Sequence, residues 1–262
     1  MILEFASALD VGRARTNNED SVALDPDANV AVLADGMGGY NAGEVASGMA
    51  TSLVSSSLVQ WLSARRAAPT PPTARELAQA MGRCVEQANR AIFDASNTHP
   101  QYSGMGTTLV MVVVAGGHLV VGHVGDSRVY RLRGAQLQRL TRDHSLLQEQ
   151  LDAGLITPAQ AARSTNRNLV TRALGVEAEV TLETRDHSLV QEDLLLLCSD
   201  GLTDMVDDEG ICDLLCHTHA SLQDACQSLV DAANAAGGRD NISVVLVRAG
   251  GEAAAHGKGQ TE

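Results

Sequence analysis

A chain of 262 residues with 44% hydrophobic content can bury one large core or two small ones. Only 2% of the residues are aromatic, so that core must rest on Leu, Val, Ala and Met. A formal charge of −13 excludes the cationic footprint that nonspecific nucleic-acid binding needs, and it sets the overall field against any phosphate-bearing substrate.

The amino terminus, Met1-Ile2-Leu3-Glu4-Phe5, lacks a basic stretch followed by a long apolar one, so no secretory signal is predicted. The first 35 residues read as strands. Within them, Asn29-Val30-Ala31-Val32-Leu33-Ala34 is an apolar run that delivers Asp35 at its end. A glycine-rich loop follows, then a helix over about 44–64 and a breaker-rich loop over 67–72. Thr73-Ala74-Arg75-Glu76 is a capping box, and the helix it opens sets Leu77, Met81, Val85, Ala88 and Ile92 on one face.

Strands are predicted over 109–114, 119–124 and 129–133, with a short run near Leu137. The first two flank Ala115-Gly116-Gly117-His118 and read as a hairpin, not a membrane span. Residues 145–168 are polar and helical in character, with Thr157-Pro158-Ala159-Gln160 as a helix start. Residues 193–199 form a buried strand that ends at Asp200, Ser221-Leu222-Gln223-Asp224 opens a helix, and 241–247 is a final strand. From Gly250 onward the chain is small and polar and reads as a disordered tail. Long helices between β-rich blocks, without regular alternation, predict antiparallel sheets covered by helices in one domain spanning 1–249. Five cysteines, Cys84, Cys198, Cys212, Cys216 and Cys226, have no disulfide-scaffold spacing and fit reduced core thiols in the cytoplasm.

Acidic signatures recur at the ends of apolar runs. They are Arg15-Thr16-Asn17-Asn18-Glu19-Asp20, Asp35-Gly36-Met37-Gly38-Gly39, Gly125-Asp126-Ser127-Arg128, Ser199-Asp200-Gly201 and Asp240-Asn241. A carboxylate at a strand end reaches into a shared cleft while its backbone stays rigid. Two of them about 4 Å apart repel by about 4 kcal/mol at an effective dielectric near 20. Hard divalent cations such as magnesium or manganese cancel that repulsion, so a metal-assisted hydrolase is the first reading.

Other readings compete locally. A dinucleotide-binding loop at Asp35 fails its third glycine at Asn41 and would set a carboxylate against a pyrophosphate. Cys84 and Arg90 have the Cys-x5-Arg spacing of cysteine-dependent phosphatases, but inside a periodic helix without glycine. Cys212, Cys216, His217 and His219 could hold zinc, or the cysteines could simply face a packed helix. Asp204 reads equally as a ligand or a helix-entry residue, and His123 as a packed histidine.

In their order from Asp10 to Val247, the signatures resemble the metal-dependent type-2C serine/threonine protein phosphatases (the PPM family), specifically the bacterial branch. The resemblance implies an α+β fold: a central β-sandwich of two antiparallel sheets flanked by helix pairs. It implies that Asp35 bridges two metal ions, Mn2+ or Mg2+, and that the Gly36 carbonyl coordinates one of them. Asp200 and Asp240 would complete the binuclear site, with Glu19 holding it directly or through water and Asp20 as an inner or supporting ligand. Arg15 would bind the phosphate. Asp126, with Asp200, would hold a third and weaker metal, to which Asp204 contributes, and residues 145–168 would form a mobile flap. Eukaryotic members carry a histidine proposed as general acid where this chain has Met37, which cannot donate a proton; a metal-bound water or His144 would stand in.

The implied reaction is hydrolysis of phosphoserine and phosphothreonine on proteins by a metal-activated water, opposing a bacterial Ser/Thr kinase. The implied protein is a cytoplasmic monomer that binds neither nucleic acid nor membrane. The alternative is a catalytically silent relative that binds phosphoproteins as a regulator. The presence of Glu19, Asp35, Asp200 and Asp240 favours the enzyme.

Overall fold

A computed structural model describes residues 1–39, 42–161, 164, 169–217 and 219–250. Three strands open the chain: β1 (Leu3–Asp10), β2 (Asp20–Asp25) and β3 (Val30–Met37). Two long helices follow, α1 (Ala42–Arg65) and α2 (Ala74–Thr98). The α2 capping box forms as predicted, with Thr73 and Glu76 each satisfying the other's free amide. Next come β4 (Gly106–Thr107), β5 (Leu109–Ala115), β6 (His118–Val124), β7 (Arg128–Arg133) and β8 (Gln136–Arg139).

Short helices α3 (Leu146–Asp152) and α4 (Pro158–Ala161) lie in the segment read as a flap, of which 162–163 and 165–168 fall outside the described residues. The chain then runs through β9 (Glu183–His187), β10 (Leu194–Cys198), α5 (Asp200–Thr203), α6 (Asp208–Cys216), α7 (Leu222–Ala235) and β11 (Ile242–Ala249). The tail expected from Gly250 onward lies, after that residue, outside the described residues.

Every strand pairing is antiparallel, in two sheets. One runs β1-β11-β10-β7-β8; the other runs β2-β3-β5-β6-β9, with β4 beside β3. Strand periodicity explains why they stack. Along β3, Val30, Val32 and Ala34 pack beneath α1 and α2, whereas Ala31 and Leu33 point into the space between the sheets. On the other sheet, Leu195, Leu197, Val245 and Val247 fill that same space, and Leu196, Val244 and Leu246 pack against α6 and α7. Central strands covered on both faces must be apolar throughout, which is why β3, β5, β10 and β11 read as unbroken hydrophobic runs. The order of layers, helices–sheet–sheet–helices, is the one expected.

Several short elements, β4, β9 and α5 among them, have no counterpart in the elements expected from sequence. Edge strand β9, Glu-Thr-Arg-Asp-His, has no apolar alternation and is defined by its pairing, Glu183 opposite His123. Helix α5 is one turn long, too short for any periodicity to register.

Antiparallel order decides where the acids go. Strands β3 and β6 both pair with β5, so they run in the same direction and their carboxyl ends share one edge of the sheet. Strand β10 ends where its antiparallel partner β11 begins. Asp35, Asp126, Asp200 and Asp240 are therefore delivered to one end of the sandwich.

Leu33 is fully buried between the sheets, directly below Asp35. Leu33→Ala should cost about 2–5 kcal/mol in urea unfolding, because a rigid two-sheet interior cannot collapse into the cavity. A loss under about 1 kcal/mol would contradict tight packing at this level.

Candidate metal centre

Asp35 has the same strand parity as Ala31 and Leu33, so its side chain leaves β3 toward the opening between the sheets. Its backbone is held firmly. Its N–H donates to Thr108 Oγ1 (3.1 Å), and its carbonyl accepts from Thr107 Oγ1 (2.8 Å) and the Thr108 amide (2.9 Å). Thr108 Oγ1 also bonds Ser127 Oγ at 2.7 Å, tying the Asp35 strand to the turn that carries Asp126.

Gly36 is required for a close backbone approach. Its N–H donates to the Glu19 carbonyl at 3.0 Å, and a Cβ there would lie 2.2 Å from the Gly43 carbonyl oxygen. Met37 packs its methyl group against Gly106, where an added Cβ would come within 2.9 Å of it.

The two sheets are clamped beside the acids by neutral side chains. Asn241 Oδ1 accepts from the Glu19 amide at 2.8 Å, and its Nδ2 donates to the carbonyls of Asn17 (2.8 Å) and Val11 (3.0 Å). Ser199 Oγ donates to Asp20 Oδ2 at 2.8 Å while accepting from the Ser243 amide at 3.0 Å. Asp20 stands opposite Asp35 in the β2–β3 register, and its Oδ1 is buried with no hydrogen-bond partner. Ser199 and Asn241 lie inside the acidic signatures, where nothing local except their neighbours marks them as clamps. Their position directly beside a signature acid was the available signal. Thr107 and Thr108, at the head of an apolar run, carried none.

Electrostatics report the crowding. Asp35 and Asp200 are held well above the usual carboxylate range, first by burial and then by their acidic neighbours, which include Asp20, Asp126 and Asp240. Burial and nearby acids also push Asp20 and Asp126 up to about 6. Glu19 is raised by burial in spite of Arg15 close by. Arg15 Nη2 lies 2.7 Å from Asp240 Oδ2, and the Arg15 side chain is exposed at the rim. Asp204 is the C-cap of α5, not a helix-entry residue. It faces Asp126 and Asp200 across a cavity of about 210 Å³ that Arg128 and Ser145 also line.

The donor set is carboxylate and carbonyl oxygen, without thiol or imidazole, which suits hard divalent ions. Four buried or half-buried acids in mutual repulsion, one with an orphaned oxygen, are stable as anions only beside compensating positive charge. The residues fit a bound cation pair. Among the described residues, the His, Cys, Asp and Glu side chains that bring three ligand atoms within 4.8 Å of one another are His123, His144 and Glu183, a group separate from these acids.

The competing sites are not assembled. Cys84 is buried in α2 with its thiol pushed up by burial, so it offers no thiolate nucleophile. Cys212 Sγ points to the Ala135 carbonyl at 3.6 Å and His219 Nε2 to the Leu214 carbonyl at 2.8 Å, and among the described residues Cys212, Cys216, His217 and His219 do not gather three ligand atoms within 4.8 Å. His144 is buried and turned toward Glu183, which disqualifies it as the proton donor in the cleft.

A family model described as Protein phosphatase 2C matches residues 12–234. The chain is similar to "Serine/threonine phosphatase stp" of Listeria welshimeri, 38% identical over 241 residues that cover 91% of this chain and 92% of that one. Its fold matches the Mycobacterium tuberculosis serine/threonine phosphatase PstP/Ppp with a TM-score of 0.82 at 35% identity, covering 96% of this chain and 100% of that one. It also matches the PstP catalytic domain in complex with two manganese ions, with a TM-score of 0.80 at 34% identity over 95% and 99% of the two chains.

A carboxyl raised to about 6 is unfavourable when ionised, so its penalty on stability is complete above pH 6 and fades as the pH falls toward the ordinary value of 3.8. Metal-stripped Asp126→Asn should therefore melt above the metal-stripped parent at pH 7.5, and the gap should narrow toward pH 5. An equal or lower melting temperature at pH 7.5 would refute the repulsion.

Proposed function

This chain belongs to the protein phosphatase 2C family and is a metal-dependent protein serine/threonine phosphatase; from that premise we propose which residues do the work. Asp35, Asp200 and Asp240 hold a cation pair, with the Gly36 carbonyl as a further ligand and Glu19 engaged directly or through water. Asp20 supports them from the neighbouring strand: it accepts from Ser199 and stands directly opposite Asp35 in register. Asp126, Asp200 and Asp204 border a third, weaker cation position, a reading supported by their mutual repulsion around one cavity.

Divalent cations held there would supply a strongly nucleophilic water at neutral pH and offset charge on the departing oxygen. The chain's own residues do the rest. Arg15 meets the phosphate dianion at the rim, where its planar fork can engage two oxygens. In a protein of net charge −13 it supplies the local attraction that the overall field denies. The carboxylates, pinned by strand ends, keep the cations and the phosphate in one geometry without reorganising during reaction. Met37 offers no proton, so the leaving alkoxide takes one from solvent in the cleft.

Manganese is the favoured occupant, supported by the two manganese ions held by the similar PstP domain; magnesium meets the same oxygen chemistry. The substrates are phosphoproteins. The enzyme opposes a bacterial Ser/Thr kinase, because phosphoserine and phosphothreonine need such a source, and it works as a monomer in the cytoplasm. All five cysteines are free, which fits a reducing compartment. No helix among the described residues is long and apolar enough to cross a membrane.

The observation that carries this assignment is the delivery of Asp35, Asp200 and Asp240 from both sheets to one end, with Arg15 bonded at their rim. Phosphate release from a phosphothreonine peptide in Mn2+ tests it. Asp35→Asn and Asp240→Asn should each lower kcat about a thousandfold, equivalent to about 4 kcal/mol of transition-state stabilisation. Near-normal release by Asp35→Asn would reject the site. Arg15→Ala should raise KM about tenfold or more with a smaller change in kcat, as expected for the loss of a charged hydrogen bond to substrate.

A further inference from the structure

The fold gives His144 a bonding pattern whose tautomer can be assigned. Its backbone N–H donates to the Gly125 carbonyl at 2.9 Å, and the Gly125 N–H donates back to His144 Nδ1 at 3.1 Å. An amide can only donate, so Nδ1 carries the lone pair and the ring proton sits on Nε2. That Nε2–H points to Glu183 Oε2 at 3.3 Å on edge strand β9. Arg172 Nη1, 3.5 Å from Nε2, is a donor and cannot be its acceptor.

One ring thus links β9 to the turn that presents Asp126. The turn has little other freedom: Gly125 adopts φ +103°, and a Cβ there would come within 2.7 Å of Thr108. His144 also holds the root of the excursion that carries α3 and α4. Its carbonyl accepts from the Thr171 amide at 2.8 Å, Ser145 bridges to Val170, and the Leu146 amide donates to the Leu169 carbonyl at 2.9 Å.

The neighbouring His123 does not make this a metal site. The two rings stack with centroids 4.6 Å apart and planes 15° from parallel, so their lone pairs cannot converge on one ion. His123 Nε2 donates to the Arg142 carbonyl at 2.8 Å, and His144 Nδ1 is already occupied. The pair acts as a buried wedge between β6 and the 142–145 segment.

We propose that His144 is a positioning residue that sets the Gly125-Asp126 turn and the root of the 145–170 excursion together, through a Glu183–His144–Gly125 hydrogen-bond chain. The geometry of Asp126 and the placement of Ser145 across the cavity they share are then one variable, not two. The consequence for turnover rests on the role assigned to Asp126 above; the hydrogen-bond chain does not.

The test exploits side-chain mimicry. In His144→Asn the amide oxygen can replace Nδ1 as acceptor for Gly125, whereas in His144→Gln the functional group moves to the Nε2 position and Gly125 loses its partner. Amide exchange of Gly125 in the full chain labelled with 15N-glycine reads the bond directly, without metal or substrate. In His144→Gln, exchange at Gly125 should quicken about five- to tenfold, the size of one net hydrogen bond. With Mn2+ and p-nitrophenyl phosphate, kcat should fall about tenfold or more, as for loss of a partner that orients a ligand, while KM stays within about threefold. His144→Asn should restore most of both. Should neither ring substitution fold, Glu183→Ala on the edge strand should still quicken Gly125 exchange. Equal losses in the Asn and Gln variants, or unchanged Gly125 exchange in Gln or in Glu183→Ala, would overturn the proposal. Inactive parent protein with the predicted exchange pattern would instead reject the functional reading and leave the hydrogen-bond chain standing.

Discussion

Like charge held together in a half-buried cleft is the constraint around which this molecule is arranged. Asp35, Asp126 and Asp200 are each raised by burial and by one another, a cost that a flexible segment would relieve by moving apart. They are held from moving apart, because each stands at the end of a paired strand or in a turn tied to one. The apolar interior between the sheets offsets the repulsion. Ala31, Leu33, Leu195, Leu197, Val245 and Val247 lie directly behind the acids and are buried throughout.

Neutral groups, not salt bridges, join the two sheets at that end. Asn241 spans from its own sheet to the Asn17 and Glu19 backbone, and Ser199 relays between Ser243 and Asp20. A cationic partner at these positions would neutralise the acids within the protein and leave nothing for a divalent ion to balance. Positive charge is kept to the rim, where Arg15 meets Asp240, and to the far wall, where Arg128 is consumed by Asp143 at 2.7 Å. The site therefore stays anionic inside and carries its attraction for phosphate at the entrance. Opposite charges are separated by depth, which is how a strongly acidic protein can take an anionic substrate.

The same logic extends outward through His144. A neutral imidazole placed between Glu183 and the Gly125 amide transmits the position of an edge strand to a carboxylate without adding charge to the cleft. Edge strand β9, polar and without alternation, is then part of the site's support as well as a boundary of the sheet.

The class of fold and the chemical type of the site are legible along the chain. Two-sided apolar runs demand stacked sheets with helical covers, the capping box at Thr73 marks a helix start, and carboxylates closing apolar runs announce oxygen ligands for hard cations. These are local or periodic properties, and each can be read within a window of ten residues. Tertiary structure alone decided the rest. That Asp20 lies opposite Asp35, that Asn241 clamps the segment holding Glu19, and that His144 faces Glu183 instead of the cleft all depend on pairings across 15 to more than 200 positions of chain. No periodicity encodes such pairings. The direction of a side chain at a strand end is set by register, and register is settled only when both sheets close over a common core.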